Sequence, residues 1–110
     1  MAQDFRNNLQ RNVGTSPVDL VVGGNYDAVI GIRVTNILTS AVTCDCYIDK
    51  TGSGTDYHIC KNLTIPPSSS VELIQGGAKI VMQNTDVLHI KSNTASALDV
   101  WVSYVDSIST

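Results

Sequence analysis

Hydrophobic and polar residues alternate with a period of two along most of this chain, from Val18 towards the C-terminus. Such alternation is typical of β-strands, whose successive side chains point to opposite faces, whereas amphipathic helices repeat every 3.6 residues. Turn-forming residues interrupt the pattern at short intervals. The chain is therefore predicted to be all-β, an antiparallel two-sheet β-sandwich of about eight strands with a jelly-roll-like arrangement.

The predicted strands are separated by clusters of glycine, proline, serine and asparagine, which favour turns. They cover residues 18–22, 26–36, 41–50, 55–60, 63–65, 70–75, 78–82, 86–91 and 97–105. Alternation places four residues of the second strand on one face, namely Ala28, Ile30, Ile32 and Val34. In the third strand it places Cys44 and Cys46 on the core face, and the glycines at 52 and 54 predict a hairpin to the next strand.

The last strand carries the only tryptophan on its outward face. Leu98, Val100 and Val102 share one side of this strand, so Trp101 and Val105 fall on the other. A small domain rarely leaves a large aromatic side chain in water, so a neighbouring subunit, the chain's own N-terminal arm or a sugar is expected to cover Trp101. A one-residue bulge in this strand would instead reverse the phase and bury the tryptophan.

Residues 1–16 differ from the rest because they are mostly polar. Phe5, Leu9 and Val13 are four apart and could share one side of a short helix. An isolated helix of that length is marginal in water, so we expect it to pack on a partner or on the sandwich. The predicted organisation is an N-terminal arm over residues 1–16 and one β-sandwich domain over residues 17–110.

The amino-acid composition argues against several classes of function. Charged residues make up 15% of the 110 residues, and the net charge is −3. Because ordinary soluble domains carry roughly 25% charged residues and the lysines and arginines here are scattered, no phosphate-binding stripe and no nucleic-acid partner are predicted. The N-terminus lacks a positively charged leader, and no apolar run approaches the ~20 residues of a spanning helix, so neither secretion nor a membrane partner is expected.

Candidate chemistry is sparse, and we predict that the protein is not an enzyme and holds no cofactor or metal. The histidines are His58 and His89, and no G-x-S-x-G elbow is present to expose a nucleophilic serine. His58 could join Asp56, or the pair Asp45 and Asp49, at a metal, but paired C-x-x-C spacing is missing. An odd count of three cysteines favours reduced, buried thiols over a disulfide framework.

A sugar site is one alternative for the outward aromatics. Trp101, Tyr47 and either Asp45 or Asp49 could stack on and hydrogen-bond a glycan if their strands were adjacent. Subunit contact is the favoured interpretation because exposed apolar patches promote association. The predicted interface residues are Phe5, Leu9, Tyr47, Trp101 and Val105.

Several segments carry a resemblance to a known class of proteins. They are NVGTSP at 12–17, VIGIRVTN at 29–36, VTCDCYI at 42–48, DYHICKNLTIP at 56–66, ELIQGG at 72–77 and NTDVLHIKS at 84–92. In these segments the chain resembles small virion structural proteins of marine tailed bacteriophages, and the likeness covers about nine-tenths of its length. The shared features are those of β-sandwiches and include no active-site motif.

The resemblance implies a role in a bacteriophage virion. It favours a capsid decoration, or cement, protein that binds the shell and neighbouring copies of itself. The alternative is an accessory protein of the tail, neck, baseplate or fibre, with host glycan as a further ligand, and a free lectin or immunity protein is a third class. The expected partners are further copies of the chain and a major capsid or tail protein. Synthesis is expected in the bacterial host cytoplasm, where thiols stay reduced.

Overall fold

The part of the chain that the structure describes folds into nine β-strands. The computed structural model describes residues 4–22, 27–50, 54–74, 79–83 and 85–106, and these residues contain no α-helix. The strands are β1 (Asp4–Val13), β2 (Val18–Val22), β3 (Asp27–Asn36), β4 (Val42–Asp49), β5 (Asp56–Ile65), β6 (Ser70–Glu72), β7 (Ile80–Met82), β8 (Val87–Ser92) and β9 (Leu98–Asp106). The all-β prediction is confirmed.

Two antiparallel sheets make up the sandwich. Sheet 1 has the order β1-β9-β3-β6, with β7 pairing to another part of β3, and sheet 2 has the order β2-β8-β4-β5. The chain crosses between the sheets after β1, β2, β3, β5, β7 and β8. Such repeated crossing between a five-stranded and a four-stranded sheet, in which β6 and β7 pair with different parts of β3, is the jelly-roll arrangement that the pattern predicted.

The core lies between the sheets and is supplied by alternating residues of both. Val100 and Val102 of β9 and Leu88 and Ile90 of β8 are all buried in one core cluster, so the predicted core faces of these strands are confirmed. Each fully buried aliphatic side chain contributes about 1.5–3 kcal/mol relative to its exposed state. The two sheets are therefore held together mainly by apolar contact.

The N-terminal segment is a strand and not a helix, so the helix prediction is wrong. β1 pairs antiparallel with β9 over a register from Asp4 opposite Asp106 to Val13 opposite Leu98. A spacing of four residues fits one face of a strand as well as one side of a helix, and the exposed edge of β9 supplies the backbone partners that select the strand. Docking of this segment on a neighbouring subunit stays a prediction.

A bulge in β3 changes which residues of this strand share a face. Val29 pairs with Tyr104 and Gly31 pairs with Ser103, so Ile30 is an extra residue between them. Ile30 is 39% exposed, whereas Val29 is fully buried. The prediction that Ile30 shares a face with Ile32 and Val34 is therefore wrong, because one inserted residue reverses the side-chain phase of the strand before it.

Candidate interaction surface

The outward side of sheet 1 is crossed by a row of four paired residues. Leu9 lies opposite Trp101, Trp101 opposite Arg33, and Arg33 opposite Glu72. Paired residues on antiparallel strands point to the same face, so these side chains are neighbours. Leu9 is 53% exposed and Trp101 is 51% exposed. The tryptophan lies on the outward face, as the alternation of β9 predicts.

A second row crosses the same face and is apolar throughout. Phe5 lies opposite Val105, Val105 opposite Ala28, and Ala28 opposite Val81. Phe5 is 82% exposed and Val81 is 62% exposed. The bulge at Ile30 is what puts Ala28 on this side of β3. We call the outward side of sheet 1 the Trp101 face, defined by Phe5, Leu9, Arg33, Trp101, Val105, Ala28 and Val81.

Depressions surround the indole ring of Trp101. One has a volume of about 320 Å³ and is lined by Leu9, Arg11, Thr35 and Asp99 beside the tryptophan. Another, of about 340 Å³, lies on the other side of Arg33 and is floored by small residues, Gly31 and Ser103. The surface is therefore ridged at Trp101 and grooved on both sides, a shape that a complementary protein surface can fill.

Charges of both signs border the apolar rows. The Arg33 guanidinium donates to Ser70 Oγ at 3.2 Å, which holds it beside the tryptophan. The Glu72 carboxylate accepts the backbone N–H of Ile32 at 2.7 Å, so this negative charge is fixed at the same edge. Asp99 accepts the N–H of Asn12 at 3.2 Å. The polar groups around Trp101 are thus held in place before any partner binds.

Four of the five predicted interface residues lie together. Phe5, Leu9, Trp101 and Val105 are all on the Trp101 face. Tyr47 is not, because β4 belongs to sheet 2. The composite sugar site that would combine the tryptophan with Tyr47 and the aspartates of β4 is therefore not formed.

Tyr47 lies in an aromatic cluster on the outward side of sheet 2. Its ring is 5.1 Å from that of His58 and 5.3 Å from that of His89, measured between centroids. Burial between these rings raises the pKa of the Tyr47 phenol, and nearby Asp56 raises it further. His89 Nδ1 lies 2.9 Å from a carboxylate oxygen of Asp19. Tyr47 is therefore packed within its own sheet and presents little surface to a partner.

Two contributors to the Trp101 face, Ala28 and Val81, are not identified by the sequence. Ala28 is predicted to share a face with Ile32, and only the bulge moves it to the opposite, outward face. Val81 lies in the short apolar run 78–82, where alternation gives no face preference. Only the pairing of Ala28 with Val81 and with Val105 places the two residues on this face.

Over the described residues, no group of three or more His, Cys, Asp or Glu side chains is arranged to hold a metal ion. Within the same part of the chain, no helix has the length and apolar character needed to cross a membrane.

Comparison with known proteins shows a similarity of fold. No protein-family model matches the chain, and no curated protein matches it in sequence. Among solved structures, it is similar to a protein from work described as "Bacillus endospore appendages form a novel family of disulfide-linked pili", with a TM-score of 0.51 and 12% identity. The match covers 94% of this chain and 84% of the other. At this identity the similarity shows a shared β-sandwich fold.

Proposed function

We propose that this chain is a non-catalytic structural subunit of a bacteriophage virion, a capsid decoration protein that binds the shell and neighbouring copies of itself. The observation that carries the proposal is the Trp101 face, on which two rows containing large apolar side chains lie exposed across a whole sheet. Contiguous exposed apolar surface of this kind marks interaction sites in soluble proteins. A partner that covers Trp101 and Phe5 removes that surface from water.

A second copy of the chain is the partner that fits this face best. Arg11 and Arg33 lie near Trp101 together with the acidic Asp99 and Glu72. A surface that carries both signs beside an apolar centre can be complementary to itself in a two-fold or repeating contact. The solved structure of similar fold comes from work on pili, so the β-sandwich architecture is compatible with repeating assemblies.

Self-association tests the contact directly. Native mass spectrometry and sedimentation of the full chain should detect oligomers, and Trp101→Ser should weaken association by about tenfold to a hundredfold, the effect of truncating a central aromatic contact. Tyr57→Ser is the matched control, since Tyr57 is a 62% exposed aromatic residue on sheet 2. A monomeric wild type, or equal loss in both variants, would count against the Trp101 face.

Copy number in a purified particle tests the location. A copy number comparable with that of the shell protein supports decoration, whereas a few rings of copies favour the neck, tail or baseplate. Trp101→Ser should be washed from the particle more readily than Tyr57→Ser. Absence of the wild-type protein from particles overturns the virion proposal as a whole.

A glycan-binding accessory protein is the second candidate, because the 320 Å³ depression combines an indole ring with polar groups. Aromatic faces with adjacent carboxylates and hydroxyls can bind sugars, and Thr35 and Asp99 supply such groups here. A glycan array with wild type and Trp101→Ala separates the two candidates. Binding that disappears with the indole supports the sugar site, and no signal from wild type rejects it.

A further inference from the structure

Two cysteine side chains meet between adjacent strands of sheet 2. Cys44 of β4 and Cys60 of β5 place their Sγ atoms 3.9 Å apart. Both are free thiols, as is Cys46, whose backbone pairs with Cys60. At 3.9 Å two sulfur atoms are close to van der Waals contact. A disulfide bond of about 2.05 Å therefore requires only a modest further approach by the two side chains.

The pair combines a buried cysteine with one that is only partly buried. Cys44 is buried in the core cluster, whereas Cys60 is only partly buried. Cys60 lies in β5, which is an edge strand of its sheet. The Cys60 thiol also lies 3.9 Å from the carbonyl oxygen of Cys44. The sulfur of the partly buried cysteine is thus held beside the buried one by the pairing of the two strands.

We propose that Cys44 and Cys60 are a modification site that forms an intramolecular disulfide on exposure to a small-molecule disulfide such as oxidised glutathione. The bond staples the edge strand β5 to β4. Cys46 stays reduced and serves as an internal reference. This inference is independent of the proposed virion role, because it concerns only contacts within one chain.

The reaction balances as two thiol–disulfide exchanges. The Cys60 thiolate attacks one sulfur of oxidised glutathione, forms a mixed disulfide and expels one glutathione thiolate. Cys44 then attacks the Cys60 sulfur and expels the second glutathione. The two cysteines together lose two electrons and two protons, and two molecules of glutathione thiol carry them away.

Electrostatics determine which cysteine reacts first. A hydrogen bond from the Cys44 thiol lowers the pKa of Cys60, and the bond raises the pKa of Cys44, which burial raises further. The thiolate is the nucleophile in exchange, so the more accessible and more acidic Cys60 attacks the oxidant. Cys44 then acts as the resolving thiol.

Thiol counting and peptide mapping test the bond in the wild-type chain. After incubation with oxidised glutathione, N-ethylmaleimide in denaturant should label one thiol instead of the three labelled in reduced protein. Cleavage before Asp45 separates Cys44 from Cys46, so the cross-linked peptides identify the pair. The expected product joins Cys44 to Cys60. A Cys46–Cys60 link, a stable mixed disulfide, a dimer joined by disulfide or three labelled thiols overturns the proposal.

Thermal unfolding provides the second readout. A disulfide closing a loop of this size should raise the unfolding midpoint by about 5–15 °C over reduced protein. Cys46→Ala should keep that shift between oxidised and reduced samples, while Cys60→Ala should lose it. Each variant is compared with its own reduced form, so a general loss of stability does not obscure the result. An equal shift in Cys60→Ala would contradict the assignment.

Discussion

The carboxylate of Asp45 accepts a hydrogen bond from the backbone N–H of Asn62 at 2.7 Å. Asn62 lies at a bulge of the edge strand β5 and has a φ of 52°. Sheet 1 repeats the arrangement, because Asp99 accepts the N–H of Asn12 at a bulge of the edge strand β1, where φ is 56°. In both sheets an aspartate on the inner strand binds a backbone donor at the bulge of the edge strand.

Removal of the Asp45 carboxylate should destabilise the fold. Asp45→Ala leaves the Asn62 N–H without its acceptor and should lower the free energy of unfolding by about 1–2 kcal/mol. Asp45→Asn is the matched control, because its amide oxygen can accept the same bond, and most of the stability should remain. Urea denaturation measures both. Equal losses in the two variants would show that the negative charge matters more than the hydrogen bond.

The backbone conformation at Asn62 makes a separate prediction. Asparagine and glycine tolerate positive φ. An alanine side chain clashes with the backbone in this conformation, which costs about 1–2 kcal/mol of conformational free energy. Asn62→Gly should therefore be close to wild type in urea unfolding, and Asn62→Ala should be less stable. The same substitutions at the exposed Asn93, which is not among the residues with positive φ, should give the opposite order.

Replacement of Asn36 should lower the free energy of unfolding more than replacement of any other polar residue. Its fully buried side-chain amide donates to the carbonyls of Ser40, Ile65 and Pro66 at 2.9, 3.1 and 3.2 Å, and its oxygen accepts the Leu38 N–H at 2.9 Å. Asn36→Asp places a carboxylate oxygen against these carbonyls and should cost about 3 kcal/mol or more.

The control for that substitution is Asn93→Asp. Asn93 is exposed, and its side-chain oxygen accepts the N–H of Thr43 at 3.0 Å. An aspartate keeps this acceptor, so the free energy of unfolding should change by less than about 0.5 kcal/mol. A similar loss in both variants would mean that added negative charge, and not the buried donor geometry, destabilises the fold.

Glu72 should stabilise the part of β3 at Ile32, which pairs with neither β6 nor β7. Its carboxylate accepts from Ile32 N at 2.7 Å and from Ile74 N at 3.4 Å. Glu72→Ala should lower the free energy of unfolding by about 1–3 kcal/mol, and Glu72→Gln, which retains an oxygen acceptor, should lower it less. Chemical denaturation separates the variants, and equal effects would rule out the acceptor role.

Stability should fall at alkaline pH through Cys46. Burial raises the pKa of this thiol in the folded chain, whereas the unfolded thiol ionises near its ordinary value of about 8.5. The stabilising contribution is therefore complete below about pH 8 and is lost as the pH rises further, because ionisation favours the unfolded state. Between pH 8 and 9.5, reduced wild type should lose about 1 kcal/mol more than Cys46→Val in urea unfolding. Parallel pH profiles would contradict this.

Local alternation determined much of the architecture. A period of two requires only that neighbouring side chains point to opposite faces, so the core faces of β8 and β9 and the outward position of Trp101 follow from the sequence alone. The hairpin between β4 and β5 follows in the same way from its glycine-containing turn. These features depend on residues close together in the chain.

Only the tertiary structure decided which strands are neighbours and where their register shifts. The pairing of β1 with β9 made a strand of residues that also fit a helix, and the bulge at Ile30 moved Ala28 to the outward face beside Val105. Likewise, the contact of Cys44 with Cys60 and the separation of Tyr47 from Trp101 depend on sheet order. Hydrogen bonding between distant segments sets these features, and a single inserted residue reverses a strand's faces without a clear signal in the local pattern.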